Sequence, residues 1–434
     1  MKFNINKWTL GLAAVGAVSM ASAVRADDAP KLSPVETALS STVISGYVSA
    51  SANYQASPAP ANVGSSIAGA IPLQGGKANG FNLDVVKLSI AKAQDESPWA
   101  AGYQVDLLFG PDAVGWNPSP GAANSEVSIS QAYVALRTPV GNGIDWKIGV
   151  FNTVVGYEAF DTASNPNYTR SWGWAVEPTE HTGILATYKV VDALTVSAGV
   201  ANTLTAGINA RNLYKSTTSN ENNGVWNKTL MGSVTLTAPS SWGWASGSAL
   251  YAGMVYGFAN SGYSTLGAGG KQGGNQANYY VGSTLNTPWK SVTFGASLDY
   301  VQNLGGGAVG NNPLSIHADD IVAAVYNTIK VTDKLSFNSR AEYWEIDGQG
   351  STGTYVNPLG KTQLETGSDN GISLTETVEY DLWANVVSRL EVRYDHILGG
   401  SWNSPFFSAG YFAPTGASVS RTAVGLYANV VYKF

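Results

Sequence analysis

Two stretches hold most of the residues whose types and spacing could do chemistry. Segment 152–180, NTVVGYEAFDTASNPNYTRSWGWAVEPTE, carries Glu158, Asp161, Arg170, Glu177 and Glu180 among Tyr157, Tyr168, Trp172 and Trp174. Segment 386–397 alternates Arg389, Glu391, Arg393 and Asp395 with Leu390, Val392 and Tyr394. Sets of this kind act electrostatically, setting up fields that order water and sort ions, or offering flat faces for stacking. Covalent and metal chemistry find no foothold. The chain has no GxSxG, P-loop or EF-hand pattern, and His181, His317 and His396 lie far apart with nothing like HExxH spacing. It also has no cysteine, which removes disulfides and thiolate metal sites. No cofactor, no metal and no enzymatic activity are expected.

The elements that must position these residues are strands. Period-two alternation bounded by Gly, Pro, Asn, Asp and Ser marks sixteen candidates: 43–54, 80–92, 100–109, 126–137, 144–151, 181–190, 193–202, 226–237, 244–258, 277–286, 291–302, 315–329, 334–347, 370–380, 386–397 and 420–434. The gaps between them alternate in length. Short gaps fall at 94–98, 138–143, 191–192, 238–242, 287–290, 330–333 and 381–385. Long ones fall at 55–79, 110–125, 152–180, 203–225, 259–276, 303–314, 348–369 and 398–419. That is the pattern of an all-β, up-and-down antiparallel transmembrane barrel with short periplasmic turns and long external loops. An even strand count puts both termini of the chain on the same, periplasmic, side. The 80–92 strand changes phase at Val85-Val86, which predicts a β-bulge.

The last strand fits a wall in lipid. Thr422, Val424, Leu426, Ala428, Val430, Tyr432 and Phe434 share one face; Arg421, Ala423, Gly425, Tyr427, Asn429, Val431 and Lys433 share the other. An apolar edge of this kind invites aggregation in water but suits a lipid-facing barrel wall. Composition agrees: charged residues are 12%, about half the usual ~25% of soluble domains, whereas aromatics are 11%. After the first 26 residues, no run approaches the ~20 apolar residues a spanning helix needs.

Three regions follow. Residues 1–26 read as a secretory signal peptide: Lys2 and Lys7, an apolar core from Leu10 to Met20, then cleavage patterns ending at Ala23 or Ala26. Residues 27–42 form a short periplasmic segment, and residues 43–434 the barrel. Losing Lys2, Lys7 and Arg25 and no acid takes the formal charge from −6 to −9. That balance argues against nucleic acid as a partner.

At 16–18 strands side chains cannot fill a barrel, so a water channel is expected. SWGW occurs at 171–174 and 241–244. Trp172 and Trp174 of the first copy are either a stacking platform for a solute such as a sugar or interfacial girdle residues; the second copy begins at a short turn, where a girdle belongs.

The runs QAYVAL (131–136) and KIGVFNTVVGYE (147–158) resemble general porins, in which such a strand leads into an inward-folded third loop. EPTEHTGILATY (177–188) and LEVRYD (390–395) resemble the OmpL-like beta-barrel porin family more closely. Tyr432 and the terminal Phe434 resemble an outer-membrane assembly signal, although Gly425 departs from its usual spacing. The resemblance implies an outer-membrane channel for passive diffusion of small hydrophilic solutes and ions, with outer-membrane lipid and the barrel-assembly machinery as partners and a homotrimer as one assembly. It further implies a constriction with Glu158, Asp161, Glu177 and Glu180 as the acidic side and the inward Arg340, Arg389, Arg393 and Arg421 as the basic side. Local pairing of these charges, or a loop that stays outside, is the competing arrangement. A carbohydrate-selective channel and a closed barrel that displays loops for adhesion are the alternative functions.

Overall fold

In the computed structural model the described residues are 41–56, 71–74, 77, 79–113, 126–204, 208, 228–258, 275–304, 307–309, 312–314, 317–347, 353–356, 362–365, 368–400 and 421–434. Residues 1–40, which hold the expected signal peptide and most of the expected periplasmic segment, and much of the long gaps lie outside them.

The chain forms β1 (Thr42–Gln55), β2 (Gly80–Lys92), β3 (Ala101–Phe109), β4 (Val127–Thr138), β5 (Ile144–Asn152), β6 (Glu180–Val191), β7 (Leu194–Ala201), β8 (Thr229–Thr237), β9 (Ala249–Phe258), β10 (Asn275–Asn286) and β11 (Val292–Leu304). A small hairpin, β12 (Gly307–Val309) with β13 (Asn312–Leu314), precedes β14 (His317–Lys330) and β15 (Leu335–Asp347). A second, β16 (Gly353–Val356) with β17 (Thr362–Glu365), precedes β18 (Ser368–Trp383), β19 (Val386–Gly400) and β20 (Thr422–Lys433). Leaving the two hairpins aside, sixteen strands close a barrel in chain order. Closure comes from β1 pairing antiparallel with β20, Tyr47 opposite Lys433 through Gln55 opposite Gly425. A closed sheet leaves no unpaired backbone edge, as a wall in hydrocarbon requires.

Side-chain direction follows the alternation. On β20 and the Phe434 that follows it, Leu426, Val430, Tyr432 and Phe434 are 41–49% exposed on the outside, while Ala423, Tyr427, Asn429 and Val431 are at most 3% exposed on the inside. Leu83, Val134, Ile148, Val234, Leu250, Val281, Val325 and Leu390 continue the outward apolar belt. Trp242, Trp244, Trp289 and Trp383, all exposed, ring the short-turn rim, so the second SWGW is a girdle.

Two details differ from expectation. β9 starts at Ala249 rather than 244, because Ser240–Ala245 forms a 3-10 turn with Gly243 at φ 61°. A Cβ at that φ would be strained. The bulge sits one residue earlier than predicted: Ser49 faces Val85 and Ala50 faces Leu83, so Asp84 is the extra residue. The bulge turns both Asp84 and Val85 to the inside, where each is fully buried.

Phe434 extends the seam by one pair: its N–H donates to the Gly46 carbonyl at 3.0 Å and its carbonyl accepts from the Gly46 N–H at 2.9 Å. Deleting Phe434 removes both bonds, worth about 1–3 kcal/mol together. The folded band in unboiled gel electrophoresis should disappear at a lower temperature, with reduced outer-membrane yield. An unchanged transition would show that the seam closes without it.

Candidate functional site

The third long connection, between β5 and β6, runs inside the barrel. Short local elements shape it. Ser171 Oγ accepts from the Trp174 N–H at 3.0 Å and starts a five-residue helix, Trp172–Val176. Gly156 has φ 109°, and a Cβ there would collide with the Glu177 carboxylate, so only glycine fits.

Three apolar clusters fix the path. Val154, Val155 and Tyr157 pack with Leu185, Met231, Val255 and Tyr326, and Tyr157 stacks on Tyr326 at a centroid distance of 4.1 Å. Trp172 packs on Trp344, Val301 and Val322. Trp174 packs on Tyr47, Val85, Leu108 and Val431.

Polar side chains of β15, β18 and β19 supply the rest. Arg340 pairs with Glu158 at 2.8 Å and Glu342 at 2.8 Å, and its Nη1 also donates to the Thr169 carbonyl at 2.7 Å. Arg389 donates to the carbonyls of Thr162 (2.9 Å) and Asn165 (2.8 Å) and pairs with Glu379. Arg393 pairs with Asp395 and donates to the Arg170 carbonyl. Glu391 accepts the backbone N–H groups of Tyr168 (2.6 Å) and Thr169 (2.9 Å) and the hydroxyl of Thr377. Glu342 accepts the Trp172 N–H at 2.6 Å. Wall donors meet loop carbonyls and wall acceptors meet loop amides, so irregular backbone is satisfied where sheet pairing is impossible.

This geometry replaces the expected picture of two charged banks facing each other over water. Arg340, Arg389 and Arg393 are at most 3% exposed and touch the loop. Glu158 is buried against Arg340. Glu177 is buried beside Asp299, and Glu180 is buried at the start of β6, in register with Asn152. Arg421 is exposed, just ahead of β20. The inward alternation was read correctly for three arginines; their distance from the loop was not readable from one strand. Trp172 and Trp174, at 0% and 3% exposed, have no face left for a solute: Trp172 Nε1 donates to Asp395 and its ring lies under the Arg393 guanidinium. Both are loop anchors, which withdraws the stacking platform. His181 contacts Thr153 Oγ1 and His396 contacts Thr422 Oγ1; the His317 side chain lies outside the described residues.

Asp161 alone among the four acids borders open space. Its side chain is 26% exposed, and it pairs with Lys87 at 2.8 Å; Lys87 also holds Asp106 at 3.1 Å. On the far wall, inward Gln104, Gln131, Tyr133, Lys147, Thr187, Ser197, Ser233 and Tyr251 are half-buried rather than covered. A second cluster was missed as well: Asp84, turned in by the bulge, is held by Ser49, Ser51, Tyr168 and Lys77. Its signal was the phase break in 80–92.

A sixteen-stranded barrel with an inward third connection and a polar, partly open interior defines a membrane channel of the porin class. The chain belongs to the family described as "Putative beta-barrel porin-2, OmpL-like", which matches residues 41–434. It is similar in fold to the anion-selective porin of Comamonas acidovorans (9% identity, TM-score 0.54, 91% of this chain and 99% of that one). It is likewise similar to the outer-membrane channel DcaP of Acinetobacter baumannii (12%, 0.52, 91% and 97%) and to Salmonella typhi OmpF (13%, 0.52, 91% and 97%). No curated protein matches the chain.

Two outcomes test the loop's anchoring. Arg340→Met leaves Glu158 and Glu342 buried without their cation, at a cost of about 3–5 kcal/mol. The thermal transition should fall and single-channel current should become noisier; quiet wild-type current would show that Arg340 does not hold the loop. The second concerns pH. Burial first, and the Asp299 carboxylate second, push the Glu177 carboxyl well above the usual carboxylate range. As pH rises past about 4.3 the unfolded chain loses this proton first, so stability is full below that range and declines as pH climbs toward the folded value. Glu177→Gln should flatten that decline in a pH series of denaturation midpoints; an unchanged slope would assign it to other groups.

Proposed function

We propose that the protein is an outer-membrane channel for passive diffusion of small hydrophilic solutes and ions, with its water path between the loop edge at 159–164 and the inner wall of β3–β9. The observation that carries this reading is the asymmetry of the interior. The loop's hydrogen bonds run to β1, β2, β10, β14, β15, β18, β19 and β20, and its apolar side chains reach β3, β6, β8 and β9, whereas polar inner-face side chains on β3–β9 keep solvent access at Gln104, Gln131, Tyr133, Lys147, Ser197 and Ser233. A packed core would cover such groups or replace them with apolar ones.

Export through a signal peptide cleaved at Ala23 or Ala26 completes the reading, with the long loops at the external face. One of the similar structures is a trimer form of OmpT from Vibrio cholerae, which makes a homotrimer the assembly to test first. The buried Trp172 and Trp174 leave the carbohydrate-selective alternative without its aromatic platform. No catalytic role enters the reading.

Purified full-length protein in a planar bilayer should give stable ohmic steps; insertion without conductance would favour the closed, loop-displaying barrel. Asp161→Asn should shift the reversal potential in a KCl gradient toward anion preference. The shift should shrink between 0.1 M and 1 M salt, because the Debye length falls from ~10 Å to ~3 Å. No shift at low salt would move the narrowest section away from residues 159–164.

A further inference from the structure

We infer that Lys147 is the specificity-determining residue for anions in this channel: its ammonium is a transient binding point for small monovalent anions such as chloride or a short carboxylate. The inference rests on the channel reading above and adds a residue that no sequence motif marks.

Most cations around the lumen are committed to partners. Lys77 is paired with Asp84 and Asp112, and Lys87 with Asp106 and Asp161. Arg137 is paired with Asp145. Arg340, Arg389 and Arg393 are paired and spent on loop carbonyls. Arg170 is buried and donates to the carbonyls of Phe160 and Tyr168. Lys147 differs from all of them. It lies on β5 on the same face as Asp145, half-buried, and among the described residues its ammonium makes no hydrogen bond and no ion pair. Its ammonium lies over the Tyr133 ring, with Nζ 5.0 Å from the centroid.

That contact orients the side chain without neutralising it. An ammonium over an aromatic face keeps its three N–H donors, and the ring shields the stem. Asp106, the acid whose field reaches Lys147, is already held by Lys87 and accepts from Gln131 at 2.8 Å and from Gln104. The neighbouring carboxylate is thus committed, while the cation is open to a mobile partner. Anions should dwell at a positive charge lining a water path and cations should avoid it. One neutral aromatic wall and one cation suit a singly charged anion of modest size; a dianion would need a second free cation, and the described residues offer none at this level.

The test uses full-length protein from outer membranes in planar bilayers under a KCl gradient. Removing a unit charge about 4 Å from a permeating ion in water changes its relative occupancy by roughly five-fold. Lys147→Gln should therefore lower the chloride-to-potassium permeability ratio roughly two- to five-fold, and Lys147→Arg should keep it near wild type. Lys147→Met, neutral and similar in length, gives the same reading should the glutamine variant assemble poorly. Lys290→Gln, at a short turn, serves as the control and should change nothing. A conducting Lys147→Gln or Lys147→Met channel with the wild-type reversal potential overturns the assignment and leaves the channel reading standing. Wild-type protein that inserts but never conducts overturns both.

Discussion

The interior depends on one constraint: irregular backbone placed inside a barrel must find hydrogen-bond partners that sheet pairing cannot give it. The connection from β5 to β6 carries its carbonyls and amides into the lumen, where they are shielded from bulk water. Arg340, Arg389 and Arg393 donate to its carbonyls, and Glu342 and Glu391 accept its amides. Each of these side chains would be costly to bury alone. Together, and with Glu158, Glu379 and Asp395 as counter-charges, they are satisfied. The inner faces of β15, β18 and β19 are therefore written for the loop as much as for the barrel.

That division explains why charge density in the sequence does not map onto the water path. The strands richest in inward charge are those that hold the loop, and their charges are consumed there. The wall left to solvent, β3–β9, is sparsely charged and lined by amides, hydroxyls and tyrosines. Among its described residues the uncommitted Lys147 weighs more than a cluster of paired cations, because paired charges nearly cancel a short distance away. The bulge at Asp84 extends the same economy to the first strands. One extra residue turns a carboxylate inward, and Ser49, Ser51, Tyr168 and Lys77 gather on it.

The fold recurs in solved structures that share only 9–13% identity with this chain, because it asks little of any one position. An outward side chain must be apolar and an inward one must not be stranded. Many residues meet those conditions. The anchoring set is more exacting, since each donor must reach one particular carbonyl, and it belongs to this chain's own loop.

The sequence by itself determined the wall. Strand number, order, rim and facing were legible because lipid on one side and water or polar packing on the other impose a two-residue period, and because turn length alternates with rim. β2 and β20 show it best: residues 80–92 were read to the residue, and Leu426, Val430 and Tyr432 face outward as their positions require. The inward fold of 152–180 was legible from family resemblance. Only the tertiary structure decided which charges meet. Arg340 and Glu158 are 182 positions apart and Arg389 and Thr162 are 227 apart, and no local period links such pairs. Trp172 and Trp174 illustrate the same limit: their composition fits a rim, a stacking surface or a core, and burial against Trp344 and Val85 chose the core. Alternation fixes a direction for each side chain; the closing of the barrel around the loop fixes what stands at the end of it.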